Sequence, residues 1–296
     1  MVANSKIEWC HHTLNPWWGC TKVSPGCANC YAEAFSKRTG RAEWGGEKAR
    51  WFPTAAYLNQ AFDWNAKAKA AGERHRVFCA SMCDVFEEQE GERGELLDIE
   101  RARLWTRIKA TAHLDWLLLT KRPENVMRLL PAEWQTSLPR NVWVGASAED
   151  QKRLEERWPI LARIPAVVRF LSCEPLLEEV RLVCSICGRR VGEHSNLRAD
   201  LRVLACPGHF PDWVIVGGES GHGAREFFLP WARGLVHDCK AALLTACFVK
   251  QLGAKAFGPA VPVPRRLKLM DGKGGDWNEW PEDLRIRQYP EVSHVL

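Results

Sequence analysis

Three cysteines stand close together early in the chain, in the segment Cys20-Thr-Lys-Val-Ser-Pro-Gly-Cys27-Ala-Asn-Cys30, just ahead of a helix expected to begin near Tyr31. Three thiolates on one loop can hold three irons of a 4Fe-4S cube and leave the fourth iron open to an outside ligand. A structural zinc would instead need a fourth donor, and His11, His12 or Cys10 could supply it. Pro25 and Gly26 imply a tightly wrapped turn with either metal. A second set, Cys184, Cys187, Cys206 and His209, has C-x2-C and C-x2-H knuckles separated by a linker of zinc-ribbon length. That pattern predicts a closed tetrahedral Zn2+ site, which would fold a stretch too short and polar to fold alone. The chain holds 12 cysteines, and in a reducing compartment such closely spaced thiols serve as metal ligands more often than as disulfides.

The elements that must carry these residues read as alternating strands and helices. Short apolar runs at Val77-Phe78-Cys79-Ala80, Trp116-Leu117-Leu118-Leu119, Val142-Trp143-Val144, 167–171, Trp213-Val214-Ile215-Val216 and Cys247-Phe248-Val249 have the continuous hydrophobicity of strands buried on both faces of a parallel sheet. Between them, Leu97, Leu104, Trp105 and Ile108 form a helical stripe, and residues 150–161 and 231–244 are similar. The repeated β-α order predicts an α/β fold, a partial or complete (β/α) barrel. The barrel is expected to span 1–180 and 213–296, with 181–212 as a zinc-binding insertion and a loop-dominated tail after Pro259.

Polar residues follow nearly every predicted strand: Ser81, Cys83 and Asp84; Thr120 and Lys121; Ser147 and Glu149; Ser172, Cys173 and Glu174; Gly217, Gly218 and Glu219; Lys250 and Gln251. In barrels and open α/β sheets that edge carries the active site, because the loops there converge.

Composition bounds the partners. The 296 residues are 46% hydrophobic and 26% charged, which excludes disorder and fibrous folds. No apolar run approaches the roughly 18 residues of a membrane span, and Met1–Lys6 lacks the apolar core of a leader, so the expected location is cytoplasmic, away from membranes. The net charge of +5 is mild, but Lys37, Arg38, Arg41, Lys48 and Arg50 are interleaved with Trp44 and followed by Trp51. Such a basic, aromatic segment suits nucleic acid; a solvated helix face would look the same.

Several segments together resemble the phage-associated three-Cys-motif family: Asn15-Pro16-Trp17-Trp18-Gly19-Cys20, Ser24-Pro25-Gly26-Cys27-Ala28-Asn29-Cys30-Tyr31-Ala32-Glu33, Leu119-Thr120-Lys121-Arg122-Pro123, Glu174-Pro175-Leu176-Leu177 and Gly217-Gly218-Glu219-Ser220-Gly221. The family is similar in its barrel to spore photoproduct lyase, a radical S-adenosylmethionine (radical SAM) enzyme, although the C-x6-C-x2-C spacing departs from the commoner C-x3-C-x2-C. The resemblance implies a 4Fe-4S cluster on Cys20, Cys27 and Cys30 whose open iron binds SAM. Reductive cleavage would then give a 5′-deoxyadenosyl radical that abstracts hydrogen from substrate. It further implies that Cys83 and Asp84 face the methionine amine, that Lys121, or Arg122 beside it, pairs with the carboxylate, and that Ser147 bonds the ribose or carboxylate. Gly217 and Gly218 would let the backbone approach the adenosyl group, with Glu219 an acceptor in the same pocket. Cys173 would be a hydrogen donor to a substrate radical, or merely a buried thiol, and Glu174 a substrate contact.

The expected function is radical SAM chemistry on a pyrimidine in nucleic acid, preferably DNA, repairing a lesion or remodelling a modified base. Lys37, Arg38, Arg41, Trp44 and Arg50 would contact the strand, and an external electron donor such as flavodoxin or ferredoxin would reduce the cluster. A radical SAM enzyme acting on a small molecule or peptide, and a non-catalytic iron-sulfur or zinc protein that binds nucleic acid, are the alternatives.

Overall fold

Each of the six apolar runs forms a strand. The computed structural model describes residues 5, 7–191, 193, 209–221, 223–258 and 263–292. They fall into two compact units, one of Met1–Gly145 with Ile164–Val167, the other of Ala146–Arg163 with Val168–Leu296. The main sheet has seven strands: β1 (His12–Thr13), β2 (His75–Cys79), β3 (Leu114–Thr120), β4 (Val142–Ser147), β5 (Arg169–Cys173), β6 (Trp213–Gly217) and β8 (Ala246–Gln251). They lie side by side in that sequential order. Such an order belongs to a (β/α) barrel, whereas a doubly wound sheet reverses direction at a switch point. The order runs from β1 at one end to β8 at the other.

In the first unit, β1 pairs parallel with β2, and β2 with β3, His75 opposite Leu114 and Cys79 opposite Leu118. Only one residue of β3 is less than buried, as expected of a strand covered on both faces. Helix α1 (Tyr31–Thr39) follows the cysteine loop. The Thr54 hydroxyl caps α2 (Ala55–Ala71) by accepting from the Tyr57 amide, and α2 buries Leu58, Ala61, Trp64 and Ala68. Helix α3 (Gly91–Lys109) buries Leu97, Leu104, Trp105 and Ile108, the stripe read from the sequence, and adds Arg101 to it. Pro123 opens the short α4 (Pro123–Leu129) directly after β3, where its missing N–H costs nothing.

In the second unit, Asp150 caps α5 (Gln151–Leu161), its carboxylate accepting from the Arg153 amide at 2.7 Å. Strands β5, β6 and β8 are parallel neighbours, with a bulge where Gly217 comes opposite Gln251. Helix α6 (Leu229–Ala241) buries Leu229, Ala232, Leu235, Val236 and Cys239. Among its described residues the tail after Pro259 is loop-dominated, with one two-residue strand and two 3-10 turns. A small sheet joins β7 (Phe227–Phe228), β9 (Ala256–Gly258) and β10 (Arg265–Arg266), and the Asp271 carboxylate accepts amides of Lys273, Gly275 and Asp276. Among the described residues no helix is long and apolar enough to cross a membrane.

A histidine cluster marks the start of β1 and β2. His12 Nε2 lies 3.1 Å from His75 Nδ1, the His12 ring stacks on Trp64 at 4.3 Å, and His11 stacks on His75 at 4.9 Å. His11 Nδ1 accepts from the Arg76 amide at 2.8 Å. Burial first, then the charges of Arg76 and His75, lower the His11 pKa to about 4. The unfolded chain therefore binds this proton between about pH 6.5 and 4 while the folded chain does not. Stability should fall as the pH drops through that window, by at most about 1.4 kcal/mol per pH unit from this group and less for its half-exposed side. His11→Gln should flatten the slope in denaturant titrations; an unchanged slope would contradict the assignment.

Candidate site at the three-cysteine loop

The loop begins where the chain leaves Trp18, which forms an antiparallel bridge with Trp51. Gly19 adopts φ +109°, and a Cβ there would come within 2.8 Å of Arg50 Cδ, so glycine is required for conformation and for space alike. Its amide donates to Met82 O at 3.1 Å. Between Cys20 and Cys30 a single 3-10 turn, Pro25–Cys27, wraps the loop, and Cys30 is the N-cap of α1. All three cysteines are half-buried.

Behind the loop lies a buried network of two carboxylates and two guanidinium groups. Four donors converge on Asp84: the Phe86 amide at 3.0 Å, the Thr120 hydroxyl at 2.8 Å, the Lys121 amide at 3.1 Å and Arg122 Nη1 at 2.9 Å. Glu87 accepts the Thr21 amide at 2.6 Å and Arg50 at 2.9 and 3.0 Å. Arg122 joins the two halves, since its Nη2 donates to Thr21 O at 2.7 Å and lies 3.5 Å from Glu87. From α3, Arg101 donates to the carbonyls of Val85 and Glu87. Removing a partner from such a network strands a charge out of water, which costs far more than the intact network contributes.

This network shapes the cysteines. Arg122 Nη1 also lies 3.8 Å from Cys20 Sγ. Burial, with the Glu87 and Asp84 charges, pushes the Cys20 thiol up to about 12 against the pull of Arg122. Burial acts upward on Cys27 too, but there the Lys121 charge and hydrogen bonds from Val23 and Ser24 prevail and its pKa is lowered. The loop therefore holds one thiol that needs a strong local cation to ionise and one already biased toward thiolate.

Several expected residues fall elsewhere than their expected roles. A carboxylate has about four lone-pair sites, and Asp84 receives four protein donors in them, which makes it an organiser of the strand ends. Burial drives the Cys83 thiol well above its ordinary range. Arg50, expected on a nucleic-acid surface, turns inward: its side chain is 1% exposed and is held by Glu87, Thr21 and the carbonyls of Gly45 and Lys48. Trp44 packs half-buried against the cluster of Trp18, Ala32 and Met82, and Lys37 pairs with Glu33 at 2.8 Å. Glu87 and the buried role of Arg122 escape sequence reading, because nothing in Asp84-Val-Phe-Glu87 or Lys121-Arg122 tells which charge points inward.

In the second unit the strand-end residues form their own ion pairs. Lys250 Nζ lies 3.0 Å from Glu174, and a Cβ on Gly217 would come within 2.8 Å of the same carboxylate. A Cβ on Gly218 would meet Leu252 O at 2.5 Å, so both glycines serve close packing of their own unit. Gln251 donates to Gly218 O at 2.8 Å, and Glu219 is gripped by the Arg225 guanidinium and amide. Ser147 is buried and its carbonyl accepts from Arg157, which also pairs with Glu149 at 2.8 Å. Cys173 is fully buried, and burial pushes its thiol up.

Of the second metal set, Cys206 lies outside the described residues. Cys184 is buried and its Sγ accepts the amides of Ile186 at 3.4 Å and His209 at 3.5 Å. Val183 and Arg190 bridge around the exposed Cys187, and Gly188 closes the knuckle at φ +70°. His209 Nε2 lies 3.5 Å from Arg169 Nη1.

Among the described residues no three His, Cys, Asp or Glu side chains stand close enough to hold one metal ion. A single ion needs every donor within about 2.3 Å of one point, whereas a cubane gives each cysteine its own iron. The loop carries three thiols, with the Arg122 guanidinium beside Cys20 and the Lys121 charge acting on Cys27. The chain belongs to the DUF5131 family, described as proteins of unknown function, whose model matches residues 4–281. No curated protein and no solved structure matches it.

Arg122→Met should therefore cost about 3–5 kcal/mol by leaving Asp84 and Glu87 short of a buried cation. Chemical denaturation measures this, and a cost below about 1 kcal/mol would show that the network is dispensable.

Proposed function

We propose that this chain is an iron-sulfur enzyme of the radical SAM type acting on a base in nucleic acid, with Cys20, Cys27 and Cys30 as the cluster ligands. The observation that carries this reading is the Arg122 guanidinium, which bridges Asp84 and Cys20 Sγ at the carboxyl end of β3. A thiol raised to about 12 becomes a ligand thiolate only beside a strong cation. Arg122 then keeps a charge-assisted contact to that sulfur while Asp84 and Glu87 hold it in place. When bound, such a cluster supplies the electron that cleaves SAM to a hydrogen-abstracting 5′-deoxyadenosyl radical.

This chain's own residues bind and orient. Asp84 fixes the Lys121 and Arg122 backbone and head group, and the Lys121 side chain is the cation offered to the SAM carboxylate. No step is assigned to the second unit. Its Cys184 knuckle supports a separate structural role, with Zn2+ held by Cys184, Cys187, Cys206 and His209, because amide N–H groups directed at a sulfur favour the thiolate. The nucleic-acid substrate is supported by Arg38 and Arg41, which follow the cluster loop without acidic partners among the described residues.

Anaerobic reconstitution tests the assignment. Alanine at Cys20, Cys27 or Cys30 should abolish the cluster absorbance and 5′-deoxyadenosine formation with dithionite, and leave zinc bound. Lys121→Ala should keep its iron and bind SAM about 10- to 100-fold more weakly, the value of one charge-assisted contact. Zinc at Cys20 would overturn the reading; unchanged SAM affinity would move the carboxylate contact away from Lys121.

A further inference from the structure

The basic segment after the cysteine loop sorts into two groups that its sequence does not distinguish. Every carboxylate between residues 31 and 50 already has a cation: Glu33 holds Lys22 and Lys37, Glu43 holds Lys48, and Glu47 holds Arg93. Arg50 is buried on Glu87. Arg38 and Arg41 remain, exposed and without an ion pair among the described residues.

Both guanidinium groups lie against aromatic rings. Arg41 Cζ is 4.8 Å from the Trp18 ring centre and 5.2 Å from that of Trp51, and Arg38 Cζ is 5.6 Å from Phe35. The rings form a fixed base. Trp18 and Trp51 are bridged by reciprocal backbone hydrogen bonds of 2.8 and 3.0 Å, and Phe35 meets Trp18 at 5.6 Å. Ser36, fully buried on the opposite face of α1, donates to Ala42 O and accepts its amide, which pins the turn carrying Arg41. A guanidinium lying on a ring keeps its in-plane N–H donors free for an anion.

The same helix presents apolar surface where a soluble face would be polar. Tyr31 is 56% exposed and Phe35 39%, and the spacing of Tyr31, Phe35 and Arg38 at i, i+4 and i+7 puts them on one side of α1. Acidic protein would satisfy the two arginines but make no use of the exposed aromatic surface beside them. A nucleotide strand covers both, because each base has a face to stack and each phosphate an anion to offer. In a duplex the faces are already stacked inside, so only an unpaired strand can use the rings.

We propose that Tyr31, Phe35, Arg38 and Arg41 form a platform for unpaired nucleic acid, with bases on the two rings and flanking phosphates on the two arginines. The proposal rests on the nucleic-acid part of the function proposed above and narrows it to a single-stranded or extruded segment. It also takes Lys37, Trp44 and Arg50 out of the contact surface.

Fluorescence anisotropy on the reconstituted protein tests it, using a labelled oligothymidylate, a duplex of equal length and polyglutamate. The single strand should bind more tightly than either. Replacing Arg38 and Arg41 together by glutamine should weaken it about 10- to 100-fold and reduce the salt slope by about 1.4, or roughly 0.7 for each phosphate. Phe35→Ala should weaken it about 5- to 100-fold with the slope preserved. Both variants change exposed side chains, and unaltered melting and iron content confirm their folds. Preference for duplex, equal binding of polyglutamate, or wild-type affinity in both variants would overturn the platform. If the strand binds but the variants are silent, nucleic-acid recognition stands and only this surface falls. If the variants behave as stated but no 5′-deoxyadenosine forms, the platform stands and the proposed chemistry falls.

Discussion

Four donors on one buried carboxylate hold the candidate site together. Asp84 leaves β2 and captures the Thr120 hydroxyl, the Lys121 amide and the Arg122 guanidinium at the end of β3. Arg122 in turn reaches the carbonyl of Thr21 and the sulfur of Cys20. Two strand ends and the cysteine loop are thereby tied at a single point. Glu87 and Arg50 repeat the arrangement one layer on, binding the amide of Thr21 and the carbonyls of Gly45 and Lys48. Two acids and two bases balance in formal charge, which is what lets the network stay buried. The network is expensive to bury and has value chiefly for positioning the start of the cysteine loop at Cys20 and Thr21.

The second unit follows the same rule without a cysteine loop. Glu149 has Arg157, Glu174 has Lys250, Glu219 has Arg225 and Asp238 has Arg181. Three acids at or near the carboxyl ends of buried strands, and Asp238 on α6, are thus matched to cations of their own unit, and the glycines beside Glu174 and Leu252 leave no room for a Cβ. The unusual tryptophan content divides likewise. Trp9, Trp17, Trp116, Trp158 and Trp213 are core residues, whereas Trp18 and Trp51 serve as a floor for Arg41.

Much of the fold was legible because strands buried on both faces are written as unbroken apolar runs, and all six runs became strands of one sequential sheet. The two-residue β1 and the small second sheet were not, since Phe227–Phe228 and Arg265–Arg266 are too short to show any period. At the site, the strand-end position of Asp84 and Lys121 was readable, but the direction of each charge was not. Arg50 and Arg41 look alike in sequence. One is buried because Glu87 awaits it across 37 residues, and the other stays outside on two indoles because every nearby acid is taken. Long-range pairing of this sort leaves no local signal.

The central claim is that Cys20, Cys27 and Cys30 hold a cluster with one iron open to SAM. Electron paramagnetic resonance of the anaerobically reconstituted, dithionite-reduced protein, recorded with and without SAM, tests it most directly. A reduced 4Fe-4S signal whose g-values shift when SAM is added, and which is lost in Cys20→Ala, is the predicted result. Absence of any cluster signal, or one indifferent to SAM, would contradict the account.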